Sequence, residues 1–245
     1  AGGMMIRTQE LTVVYDRDNL VLDRVSVTIE TGKIVGIIGP NGAGKSSFLK
    51  ALLGLIAYDG QVSLAGQTGR EIPECIAYVE QKSQIDNHFP ITVRECVSLG
   101  LYKEVGLFRR LKKSDWTKVD TVLEQVGLSK YAKVPISNLS GGQFQRMLVA
   151  RCLVQETQII FLDEPFVGID AVSESIIMDI LKNLRNQGRT ILIVHHDLSK
   201  VKRYFDTVMI LNKKRLAYGP VEQVFTVENL RKAYEDTIFL EEEVE

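Results

Sequence analysis

No apolar run in the 245-residue chain approaches the ~18 residues that a membrane helix requires, and the N-terminus carries no charged-then-apolar secretion signal. The expectation is a cytosolic chain with no span of its own. Basic residues are not in surplus either: 30 Lys and Arg stand against 31 Asp and Glu, a net charge of -1. That balance argues against a dedicated nucleic-acid binder, and no nucleic acid is expected as a partner. Cysteine is scarce. Cys75, Cys96 and Cys152 are odd in number and lack the paired spacings of zinc sites and redox motifs, so buried, reduced thiols are expected. Internal repeats, low-complexity tracts and an interdomain linker are absent too, which favours one domain over residues 4–245. Ala1-Gly2-Gly3, ahead of Met4, is set aside as an expression remnant.

Short apolar strands alternate with helical patterns, the mark of an α/β sheet with crossover helices. Lys33 to Ile38 runs straight into Gly39-Pro40-Asn41-Gly42-Ala43-Gly44-Lys45-Ser46-Ser47, and a helical pattern follows to Leu53. This strand, glycine loop and helix have the form of a phosphate-binding loop. Backbone N–H groups and the helix start would face phosphate oxygens, Lys45 would neutralise the β and γ phosphates, and Ser46 would ligate Mg²⁺. Ile159 to Leu162 is a second continuous apolar run, and it ends in Asp163-Glu164, where ligands of open α/β sheets gather. Thr190 to Val194 is a third, and His195-His196-Asp197 follows it. Adjacent residues on an extended segment point to opposite faces, so the two histidines are not expected to share a metal. His88, alone in a polar stretch, reads as an exposed loop residue.

Between these runs, Thr92 and Glu95 have capping-box spacing, and Val93, Cys96, Val97 and Leu101 share a helical face. A second helix is predicted from about Ser114 to Val126, with Gly127 as its stop. Ile177, Ile180, Leu181 and Leu184 make a third stripe, which ends at Gly188. The last ~25 residues are mixed and finish in Glu241 to Glu245, read as a solvated tail. Leu139-Ser140-Gly141-Gly142-Gln143 stands just before the second apolar run. Ser140 can cap a helix expected to start near Phe144, with the paired glycines exposing its N–H groups as a second anion site.

Phosphate loop, Leu-Ser-Gly-Gly-Gln signature and strand-end acids, in that order, resemble the ATP-binding cassette (ABC) ATPases. The resemblance implies a P-loop NTPase fold with a mainly parallel core sheet, an N-terminal antiparallel β subdomain and a helical insert at about residues 87–140. It implies ATP hydrolysis with Mg²⁺. Glu164 would polarise the attacking water, His196 would be the switch histidine reaching the γ phosphate, and Asp163, with Ser46 and Gln81, would attend the metal. Tyr15 suits the family's adenine-stacking aromatic, with an ordinary strand tyrosine as the competing reading. Gly168-Ile169-Asp170 matches the family's D-loop loosely. In the family, Ser140, Gly141, Gly142 and Gln143 of one copy close over ATP held by the loop of another, so the second copy of the chain is a partner. The segments Asn87 to Val93 and Gly106 to Arg110, with His195, look like the ATPases of manganese and zinc importers. A separate membrane permease, an extracytoplasmic metal-binding protein and a place on the cytoplasmic face of the membrane are implied. Metal-chelate and vitamin B12 importers are the nearest rivals, and a soluble ABC-type regulator without a permease is the alternative from another class. A P-loop kinase or nucleotide switch would leave the signature without a purpose.

Overall fold

The computed structural model describes residues 5–64, 67–68, 75–81, 85–102 and 110–242. Strands β1 (Ile6–Tyr15), β2 (Asn19–Ile29), β4 (Asp59–Leu64) and β5 (Gln67–Thr68) form an antiparallel sheet in the order β2-β1-β4-β5. A second sheet runs β10-β9-β3-β8-β7-β6, built from β3 (Ile34–Ile38), β6 (Ile76–Val79), β7 (Ile159–Asp163), β8 (Thr190–Val194), β9 (Thr207–Asn212) and β10 (Lys214–Pro220). It is parallel from β9 to β6, and β10 returns antiparallel along its edge.

The three apolar runs are the centre of this sheet, and every residue of β3, β7 and β8 is buried. Side chains alternate across a strand, so each run divides between two cores. Ile34 and Ile38, Ile160 and Leu162, and Ile191 and Ile193 join the helix-covered core. Val35 and Ile37, Ile159 and Phe161, and Leu192 and Val194 join the core beneath the antiparallel sheet. Burial on both faces is why these strands read as unbroken apolar stretches rather than as alternation.

Helix α1 (Lys45–Leu52) follows β3. The helical insert holds α2 (Val93–Ser98), which has the Thr92–Glu95 capping box, and α3 (Lys113–Gln125). Residues 103–109 of the insert, including the expected importer-like Gly106 to Arg109, lie outside the described residues. Next come α4 (Gly141–Leu153), α5 (Ala171–Asn186), α6 (Val201–Tyr204), α7 (Val221–Val224) and α8 (Val227–Glu242).

Three expectations need correction. The signature helix begins at Gly141 rather than near Phe144, because Ser140 is its N-cap and the glycines are already helical. The closing segment is not wholly a solvated tail: α8 packs Leu230, Ala233 and Tyr234 on the core, and Asn212 Nδ2 donates to Ala233 O at 3.0 Å. Of the three free cysteines only Cys96 and Cys152 are buried, and Cys75 is half-buried.

Candidate active site

The loop from Gly39 to Gly44 joins β3 to α1. Gly44 has φ +91°, and a Cβ there would stand 2.6 Å from Leu22 Cδ2 and 2.7 Å from Val21 O, so the close approach of β2 admits only glycine. Gly42, at φ +78°, has nothing within 4 Å of the Cβ position and leaves that side of the loop open to a ligand. Lys213 N donates to Ala43 O at 2.9 Å and ties the loop to the β9–β10 turn. Lys45 Nζ donates to Gly39 O at 2.6 Å. Tyr15 and Ser47 share a hydroxyl–hydroxyl bond of 2.9 Å, which fixes the end of β1 against α1.

Asp163 is only 2 % exposed, and its carboxylate accepts from Ser46 Oγ at 3.0 Å. Burial raises its pKa above the ordinary carboxylate value, against the opposing pull of the Ser46 bond. Burial likewise holds the Lys45 ammonium below its ordinary value, although Glu164 and Asp163 favour its charge. Both charges are therefore short of solvation, and a ligand that brings phosphates and a cation would compensate each. The donors beside Asp163 are a hydroxyl and a carboxylate, hard oxygen ligands suited to Mg²⁺. No group of three or more His, Cys, Asp or Glu among the described residues could hold a metal on its own. A site of one or two protein oxygens completed by substrate phosphate and water is the habit of magnesium.

Glu164 turns out of β7 with φ +50°, a sparsely populated conformation for a non-glycine residue. Its N–H donates to Val194 O at 3.0 Å. The carboxylate, 11 % exposed, lies 2.7 Å from Nδ1 of His196, whose side chain is 54 % exposed. His195 points the other way and is 2 % exposed, ringed by Phe166, Tyr204 and Phe205 at centroid distances of 6.0, 6.2 and 5.6 Å. His196 is thus the histidine at the carboxylate, and His195 is a wedge in the core. Asp197 Oδ1 accepts from Ser199 N at 3.0 Å and caps the turn that follows.

The buried His195 makes stability depend on pH. Desolvation lowers its pKa from the ordinary 6.5, with His196 acting in the same sense and Glu164, Asp197 and Glu174 opposing. A depressed folded pKa means that the unfolded chain binds more protons in the window below 6.5. Stability is then complete above that value and is lost as pH falls toward the folded pKa. Denaturant midpoints at pH about 7.5 and about 5.5 should fall more for the parental chain than for His195→Phe, which has nothing to protonate. Equal falls would refute this.

Ser140 caps α4 with a reciprocal pair: Gln143 N donates to Ser140 Oγ at 3.2 Å, and Ser140 N donates to Gln143 Oε1 at 2.9 Å. The signature is therefore also a capping box, legible in its Ser-x-x-Gln spacing, and the Gln143 carbonyl is turned back into the helix start. Gly141 has nothing within 4 Å of its Cβ position. The turn borders a groove of about 430 Å³ with Ile85, Asn87, Leu139 and Phe144, and no residue from 39 to 47 lines it. The structure thus joins the loop, Tyr15, Asp163, Glu164 and His196 in one region and places the signature at a separate groove. Gln81 is exposed two residues beyond β6, and His88 is exposed in its loop.

The ABC transporter family profile matches residues 22–167. The chain is 48 % identical over 229 residues to the manganese transport system ATP-binding protein MntB of Listeria innocua, covering 93 % of this chain and 95 % of that protein. It is 43 % identical over 230 residues to the zinc transport system ATP-binding protein TroB of Treponema pallidum, with 94 % and 86 % covered. Among solved structures, cbiO1 of Clostridium perfringens, part of the ABC transporter complex cbiONQ, superposes with a TM-score of 0.79 at 26 % identity, covering 95 % of each chain. A nucleotide-free ATP-binding cassette from an ABC transporter superposes with a TM-score of 0.82 at 24 % identity, covering 95 % of this chain and 99 % of that one. The chain belongs to the ABC transporter family, in which it is an ATP-binding cassette ATPase.

Proposed function

We propose that the chain energises a bacterial importer of manganese or zinc ions by closing as a head-to-tail dimer over two molecules of ATP. Lys45 and the N–H groups of residues 41–47 bind the β and γ phosphates, and Tyr15 supports the adenine. Ser46 and Asp163, with Gln81 at the end of β6, hold Mg²⁺, which supplies charge neutralisation across the phosphates. Glu164 accepts the proton of the attacking water, and His196 orients that carboxylate and faces the γ phosphate. Ser140, Gly141, Gly142 and Gln143 of the second copy complete the site, with Asp170 along the seam. Hydrolysis removes the contacts that favour closure and so yields a two-state engine. No described helix is long and apolar enough to cross a membrane. A separate permease therefore carries the ion, with the cassette on its cytoplasmic face and an extracytoplasmic metal-binding protein delivering the cargo.

The observation that carries the reading is the pairing of Glu164 with His196 beside a desolvated Lys45–Asp163 site. The relatives named for manganese and zinc supply the cargo. A strain deleted for this gene should lose high-affinity manganese or zinc uptake and regain it with the parental chain but not with Glu164→Gln. Undiminished uptake of both ions in the deletion strain would refute the assignment.

A further inference from the structure

In a head-to-tail dimer the signature of each protomer serves one nucleotide and its Glu164–His196 couple serves the other, and an unbroken set of contacts joins the two within the chain. Gly142 lies flush against the start of α5: a Cβ there would overlap Asp170 Oδ1 and stand 2.6 Å from Ser173 Oγ. Asp170 is the N-cap of α5, accepting from Ser173 N at 3.0 Å, and Glu174 N donates to Asp170 O at 3.0 Å. The Glu174 carboxylate, 9 % exposed, accepts from Lys200 Nζ at 2.7 Å. Lys200 closes the turn capped by Asp197, and its ammonium also lies 3.9 Å from Asp197 Oδ2. Asp197 adjoins His196, which holds Glu164.

We propose that Glu174 and Lys200 are a positioning pair that couples a protomer's signature turn to that protomer's own catalytic couple, so that the two ATP sites of the dimer turn over together. The proposal rests on the paired-cassette reading above. Neither residue lies in the phosphate loop, in the signature or at the end of β7. Among the described residues, no other side-chain hydrogen bond or ion pair joins residues 170–186 to residues 195–200. A displacement of α4 when its signature engages a phosphate reaches α5 through the Gly142 contact, because close-packed surfaces transmit displacement rather than absorb it. From α5 the ion pair is the polar link to the turn that aims His196. Without it the first turn of α5 and the switch turn settle separately, and a buried carboxylate loses its cation.

The test uses the full chain, with ATPase rate measured against ATP concentration, nucleotide binding by the monomer, and melting temperature. The parental chain is expected to show a Hill coefficient approaching about two, the number of sites. Glu174→Gln and Lys200→Met should each lower kcat about tenfold, change KM less than about twofold and bring the Hill coefficient toward one, a loss in the range of measured couplings. Because the two residues act as one unit, the double variant should cost no more than the worse single, and Lys200→Arg should keep both kcat and cooperativity. Single variants that melt earlier but keep kcat and cooperativity would overturn the proposal, as would losses that multiply in the double. A parental chain without cooperativity or an ATP-induced dimer would overturn the paired-cassette reading and the coupling with it. A cooperative parental chain with equally cooperative variants would overturn the coupling alone.

Discussion

Glu164→Gln is expected to cut ATP turnover by about 10²–10⁴-fold, the contribution of a positioned general base. The change keeps the size and hydrogen-bonding shape of the side chain and removes its charge. ATP affinity should be unaffected, because the proposed grip on the phosphates comes from Lys45 and the loop between β3 and α1, whereas Glu164 projects from the end of β7. The carboxylate is predisposed for the proposed role. Its backbone sits at φ +50°, a cost that persists only where the surroundings over-determine it, and here the bond to Val194 O and the 2.7 Å contact with His196 do so. With hydrolysis blocked and ATP bound, the closed pair should accumulate as a dimer in size exclusion. Hydrolysis at the parental rate would show that another group activates the water.

Ser140→Arg is the second large effect. Mutations that remove one preorganised transition-state donor cost about 10²–10³-fold in rate, and hydrolysis should fall at least that far because the arginine also obstructs the seam. Nucleotide binding by the monomer should change less than about twofold, since one site's binding residues are untouched when the signature belongs to another copy's nucleotide. The variant also loses an N-cap, worth about 1 kcal/mol, so a control is needed that separates stability from function. Ser140→Asp retains the capping oxygen for Gln143 N and places a negative charge where a phosphate would lie. It should melt near the parental temperature and still fail to hydrolyse ATP. Loss of ATP affinity in the monomer would instead assign the signature to its own chain's site.

Much of this arrangement could be read in the sequence because its determinants are local. The loop lies between an apolar strand and a helix, and both predictions concern short segments. The acids stand at a strand end, and Thr92, with Glu95 three residues after it, marks the start of α2. His195 and His196 separated as strand alternation requires, one into the core and one to the carboxylate. Features set by distant parts of the chain were not legible. The Tyr15–Ser47 bond spans 32 positions, the Glu174–Lys200 pair spans 26, and the turn of Glu164 depends on Val194 of a neighbouring strand. The sequence places the start of α4 too late because two glycines read as loop, whereas the Ser140–Gln143 capping box overrides their low helix propensity. The helix α8 carries a usable stripe in Leu230, Ala233 and Tyr234, but the run of acids after it suggests solvent instead.

The proposed mechanism depends above all on the site being shared between two chains. A crystal structure of the Glu164→Gln variant with ATP and Mg²⁺ tests this most directly, through the distance from Ser140 Oγ to the γ phosphate. Hydrogen-bond distance, about 2.5–3.2 Å, is expected between Ser140 of one copy and the nucleotide held by Lys45 of the other, twice over in a symmetric pair. A nucleotide bound by Lys45 with no Ser140 of another copy beside it would contradict the account.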